Sequence, residues 1–186
     1  MSRIMIPVDQ VESTTGSDEF LFAPGPWTGK IEITRSRNIP TNREGQPFAG
    51  YSTKDGEVLS IQLGDNAHVE GEQQDQVGNR KMFHDFAVEV GNTSLWDVDP
   101  SERNSPNWQL QRSVRHVTQL AIALGQAEQV DDDNGNTCWS VDEAFIDSLR
   151  SGEFDGRTIG YTVAHRKTKS DTRPVVANID GFYEAD

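Results

Sequence analysis

The hydrophobic period of this chain changes twice, and those changes constrain its fold more than any other feature. Alternation with period two runs through WTGKIEITRSR (27–37), EVLSIQL (57–63) and RKMFHDFAVEV (80–90). Such alternation marks a half-buried strand. In the first stretch Trp27, Ile31 and Ile33 share one face, and Lys30, Glu32 and Thr34 the other. In the third, Met82, His84, Phe86, Val88 and Val90 oppose Phe83, Asp85, Ala87 and Glu89. The pattern then becomes helical. In SPNWQLQRSVRHVTQLAIALG (105–125), Leu110, Val114, Val117, Ala121 and Leu124 form an apolar stripe. Ser105 reads as the N-cap, Pro106 as the first helical residue and Gly125 as the stop. A second short helix is expected from Ser140, where Ser140 and Glu143 make an S-x-x-E capping box. Between the helices, QVDDDNGNTC reads as a solvated acidic loop. Period two returns in GRTIGYTVAHRK (156–167) and RPVVANIDGFYEA (173–185), which the short polar link between them makes a hairpin.

The predicted order is therefore β-β-β-α-β-β. Five strands with a helix after the third is the order of the OB fold, a partly open Greek-key barrel. The expectation is a mainly β chain: a five-stranded OB-like barrel with one or two helices between strands 3 and 4. Residues 27–186 form this domain. Residues 1–26, which include the polar ESTTGSDEF and the proline-containing APGPW, form an extended arm, with disorder at its tip left open. The connection NIPTNREGQPFAGYSTKDG (38–56) is too rich in Pro, Gly and Asn for regular structure.

Charge is segregated along the chain. Net charge is −13, which argues at first sight against nucleic acid, but phosphate contacts are local. Residues 30–43 hold Lys30, Arg35, Arg37 and Arg43 against Glu32 alone. Residues 156–173 hold Arg157, Arg166, Lys167, Lys169 and Arg173 against Asp171 alone. These tracts carry nine of 17 basic and two of 30 acidic residues, which leaves the rest of the chain at −20. In the predicted fold they fall at the end of strand 1 with the 1–2 loop, and at the end of strand 4 with the 4–5 loop. Those loops flank the face on which OB folds bind oligonucleotides or oligosaccharides. Phe48 and Tyr51 in the 1–2 loop, and Phe83 beside Arg80 and Lys81 on strand 3, are candidate platforms for unpaired bases. Either loop aromatic could instead fold back as an anchor. Trp27, Phe86, Trp108 and Phe145 are expected in the core.

The chemistry of an enzyme is not visible. His68, His84, His116 and His165 lack partners at metal-ligand spacing, and the single Cys138 cannot build a thiolate site or an intrachain disulfide. Asp131–Asp133 and the Asp97/Asp99 pair read as solvated carboxylates. Phosphate-loop and nucleophile-elbow motifs are missing. The expectation is a non-enzyme without cofactor or metal. No apolar run is long enough for a signal peptide or a membrane span, so a cytoplasmic location is expected.

The segments APGPWTGKIEI, NRKMFHDFAVEV, LAIALG and FDGRTIGYTVAHRK…VVANIDGFYEAD together resemble a family of small phage-encoded single-stranded-DNA-binding proteins. The likeness covers residues 30–37 and 79–183. It implies single-stranded DNA as partner, a role in phage DNA replication or recombination, and contact with enzymes of those processes through the acidic surface. A homo-oligomer is compatible with it. The chain departs from members that carry a long acidic tail, because FYEAD follows the last strand directly. Two alternatives stay open: an acidic interaction or structural protein, such as a virion component or host-enzyme inhibitor, and an oligosaccharide-binding barrel.

Overall fold

The computed structural model describes residues 21–71, 79–99, 101–169, 171 and 173–186. Among these residues six strands form one antiparallel sheet: β1 (Gly25–Arg37), β2 (Gly56–His68), β3 (Met82–Val90), the two-residue β4 (Thr93–Ser94), β7 (Thr158–Lys167) and β8 (Val175–Tyr183). Their order is β4-β3-β2-β1-β7-β8. Helix α1 (Trp108–Ala123) follows β4, then a separate hairpin of β5 (Ala127–Asp131) and β6 (Thr137–Val141), and then helix α2 (Ala144–Arg150). The arm expected over 1–26 falls largely outside the described residues. Its last part belongs to the domain: Phe22 and Ala23 are buried, the Trp27 indole donates to the Ala23 carbonyl at 2.8 Å, and β1 begins at Gly25.

One irregularity in β1 decides which way its basic end faces. Between Ile31/Leu63 and Ile33/Gln62, two residues of β1 stand against one of β2, a β-bulge. Before it, odd-numbered residues face the core, and Trp27 and Ile31 are fully buried. After it the parity inverts. Thr34 pairs with the buried Ile61, and its hydroxyl is buried without a hydrogen-bond partner among the described residues. Ile33, expected on the core face, pairs with Gln62 and is only half-buried; Arg35 pairs with Ser60. Unbroken alternation would have aimed Arg35 and Arg37 at the side that buries Trp27.

The edges of the sheet do not pair with each other among the described residues, so hydrogen-bonded strands do not close it into a barrel. Helix α1 lies against both β3 and β8 instead. Its apolar stripe, Leu110, Val117, Leu120 and Ala121, is buried in the core. An adjacent polar row satisfies open strand edges, which otherwise invite aberrant pairing. Ser113 Oγ accepts the Ala87 N–H of β3 at 2.7 Å. Gln119 Oε1 accepts the Phe182 N–H of β8 at 3.3 Å. His116 is buried between the two edges, its Nδ1 2.9 Å from His84 Nε2 and its Nε2 3.1 Å from the Asp180 carbonyl. Nε2 meets both the Asp180 carbonyl, which only accepts, and, at 3.3 Å, the Arg115 guanidinium, which only donates; the shorter contact makes Nε2–H the donor to Asp180 and leaves Nδ1 to accept from His84. Phe86 and Phe182 complete the seam with ring centroids 5.6 Å apart.

Four local expectations are corrected. Helix α1 starts at Trp108 after Asn107, because Ser105 Oγ caps the turn before it by accepting the Asn107 N–H. QVDDDNGNTC is not a loop but most of a hairpin. β-Forming Val130, Thr137, Cys138 and Trp139 flank a turn in which the Asp132 carboxylate accepts from the Asn134 and Asn136 N–H groups. Ser140 accordingly sits in β6, and Asp142, which accepts the Ala144 N–H at 2.8 Å, takes the place expected of the capping box. Trp108, expected in the core, is 38% exposed, whereas Trp27, Phe86 and Phe145 are buried as expected.

Candidate nucleic-acid interface

The inverted end of β1 builds a continuous outward face with its neighbours. Ile33, Gln62 and Phe83 make one cross-strand row, and Arg35, Ser60 and Asp85 the next. Residues directly opposite across strands share a face. A shallow depression of about 110 Å³ lies on this face, lined by Ile33, Arg35, Arg37, Ser60, Gln62 and Phe83. It shares Arg37, Ser60 and Phe83 with a larger cleft of about 290 Å³. The cleft runs on to Phe48 and Tyr51 of the β1–β2 loop, to Gln109 and Arg112 of α1, and to Asn178 of β8.

The loop is held in place by the start of α1. Gln109 N–H donates to the Gly50 carbonyl at 3.2 Å, and Asn107 Oδ1 accepts the Ser52 N–H at 3.0 Å. Trp108 lies over Gly50, whose φ of +94° and lack of a side chain both serve this contact, since a Cβ there would meet the indole at 2.6 Å. This is why Trp108 stays half-exposed. The loop aromatics divide between the two roles left open: Tyr51 is 8% exposed and anchors the loop, while Phe48 is 51% exposed at the rim. Phe83 is 60% exposed.

The electrostatics are cationic with one exception. Arg35, Arg37 and Arg112 form no ion pair among the described residues. The hydrogen bonds of Arg112, to Gln109 Oε1 and the Ile179 carbonyl, are long at 3.5 Å. Burial, then the nearby Arg166, hold its guanidinium below the ordinary arginine range, though arginine stays charged at neutral pH. Among the described residues, Asp85 is the one carboxylate lining the cleft. Burial first, then Asp85, push the Tyr51 hydroxyl up to about 12, so it remains a neutral donor.

Of the expected binding residues, the structure thus gathers Arg35, Arg37, Phe48, Tyr51 and Phe83, with Arg166 close enough to act on Arg112. Others lie apart. Lys30 stands in the middle of β1, before the bulge and opposite Thr158, with Asp65 at 3.9 Å. Lys81 bonds the Glu32 carboxylate, which its hydrogen bond and that of Gln62 hold below the usual carboxylate range. Arg43 occupies the exposed turn around Asn42, and Lys167, Lys169 and Arg173 the exposed β7–β8 hairpin; with Arg80, all line neither depression. Arg112, Gln109, Asp85 and Asn178 were not expected. The available signal was the polar row Arg112, Ser113, His116 and Gln119 beside the apolar stripe of α1, the mark of a helix engaged on two faces. Among the described residues no group of three or more His, Cys, Asp or Glu could hold a metal ion, and no helix is long and apolar enough to cross a membrane. No protein-family model matches this chain, and no curated protein is significantly similar to it.

Proposed function

We propose that this protein binds single-stranded DNA, in phage replication or recombination, along the face made by β1, β2, β3 and the β1–β2 loop. One observation carries this reading: Phe48 and Phe83 expose half or more of their surface beside three arginines that have no carboxylate partner among the described residues. Aromatic faces stack unpaired bases without regard to sequence, and guanidinium groups track phosphates. Strand order β3-β2-β1-β7-β8 with a helix after β3 supports an OB-like barrel in which α1 takes up the seam between the third and last barrel strands. The acidic remainder disfavours indiscriminate coating of duplex DNA and offers a surface to partner enzymes. The test is a mobility shift with a labelled single strand and its duplex at low salt. A shift of the single strand at micromolar protein, with weaker binding of the duplex, is expected; no shift, or equal affinity, contradicts the proposal.

A second reading has its own support. The β5–β6 hairpin exposes Trp139 and Val130 among Glu128, Asp131, Asp132 and Asp133, as a surface for a basic protein partner would. Co-purification with a host protein lost in Trp139→Ala, without DNA binding, would favour that reading.

A further inference from the structure

The acidic exception in the cleft has a chemical meaning. Asp85 is half-buried, yet its carboxylate makes no hydrogen bond or ion pair among the described residues. A carboxylate facing a phosphate is repulsive, so a site made only to hold backbone would exclude it. Arg112 lines the same cleft, a donor with only long hydrogen bonds of its own. Both charges act on the Tyr51 hydroxyl, Asp85 raising its pKa and Arg112 lowering it, which puts acceptor and donor in one small space. At about 290 Å³ the cleft is at the lower limit of small-ligand pockets, roughly 300 Å³ and upward.

An ionised carboxylate only accepts hydrogen bonds, through two oxygens. Among the bases, guanine alone presents two adjacent donors, N1–H and the 2-amino group, beside an acceptor, O6. Thymine presents one donor between two carbonyl oxygens, which a carboxylate repels. Resting on the single-strand reading above, we infer that this cleft selects guanine within the strand, with Asp85 accepting from N1–H and the 2-amino group and Arg112 donating to O6. Phe48 at the rim stacks on the base. Arg35 and Arg37 hold the flanking phosphates, so the strand binds with a preference at one position.

Fluorescence anisotropy with three strands of equal length tests this: oligo-dT, a d(TG) repeat, and the same repeat with inosine for guanine, which deletes the 2-amino group and keeps N1–H. A well-placed bidentate pair discriminates by ~1–3 kcal/mol, or about 5- to 150-fold. The wild-type protein should bind the d(TG) repeat about tenfold more tightly than oligo-dT, with the inosine strand between them. Asp85→Asn should bring all three within about twofold by strengthening oligo-dT binding, because it removes the repulsion. Equal wild-type affinities for the three strands, or an undiminished ratio in Asp85→Asn, would overturn the inference and leave the single-strand reading intact. Absence of binding to any strand would overturn both. Free 5′-GMP should compete only at millimolar concentration; displacement of the strand by micromolar GMP would make the cleft a mononucleotide site and overturn recognition within a strand.

Discussion

Replacing Phe83 by alanine separates stacking from charge. The side chain is 60% exposed on the outward face of β3 and contributes little to the core, so the substitution should alter folding stability by no more than about 0.5 kcal/mol. Its neighbours in the cross-strand row are Ile33 and Gln62, and Arg37 lines both depressions with it. If a base stacks there, truncation removes ~1–3 kcal/mol of binding, roughly a 5- to 150-fold loss of affinity. Phe48→Ala, which lines the same cleft from the β1–β2 loop, should act similarly, and the double variant should lose about the product of the two if the rings hold different bases. Neither ring is charged, so the dependence of affinity on salt should not change slope. Arg37→Ala should weaken binding and flatten that slope by about 0.7, the share of one phosphate contact on a single strand. The assay is anisotropy of a labelled strand across a salt series, with thermal melts as the folding control. A normally folded Phe48→Ala/Phe83→Ala variant that binds within twofold of wild type would refute the stacking platform.

Three further outcomes test the scaffold. Thr34→Val replaces a buried hydroxyl without a partner by an isosteric methyl and should stabilise by ~1 kcal/mol, raising Tm by about 2–4 °C without affecting binding; a lower Tm would show that the hydroxyl is satisfied. Ser113→Ala orphans the Ala87 N–H on the edge of β3 and should destabilise by about 2 kcal/mol, measured by urea unfolding; no change would mean that α1 does not close this edge. Stability should also fall in mild acid. Burial holds His84 well below the ordinary histidine range, and burial with Arg112 and Arg115 holds His116 at about 4, despite the opposing Asp180 carbonyl and carboxylate. Both are therefore neutral in the fold while the unfolded imidazoles titrate near 6.5. Stability is full above that value and declines as pH falls towards 4, by about 3 kcal/mol from His116 alone. A urea midpoint that is flat from pH 7.5 to 5 would contradict this.

What the sequence made legible was whatever depends on neighbours along the chain. Alternation located the five long strands, and the stripe from Leu110 to Leu124 located α1. Gly and Asn density located the connection that carries Phe48 and Tyr51. Features set by distant partners were hidden. The bulge that turns Arg35 and Arg37 outward is a mismatch of register with β2, and nothing within WTGKIEITRSR announces it. Lys30 and Lys81 looked like binding cations because their partners, Asp65 and Glu32, lie on other strands. Arg112 drew no expectation at all, because the β8 carbonyl it approaches belongs to Ile179, 67 positions away. The β5–β6 hairpin was missed for a different reason: Asp132 builds its turn from the same polar residues that mark a solvated loop, and four exposed residues of five in each strand leave little alternation to read.

The salt dependence of binding to a single strand tests the central claim most directly. With Arg35, Arg37 and Arg166 engaging phosphates, log K should fall against log salt with a slope of about −2, and Arg35→Ala/Arg37→Ala should reduce it by about 1.4. A wild-type slope shallower than about −1, or the same slope in the double variant, would contradict the account.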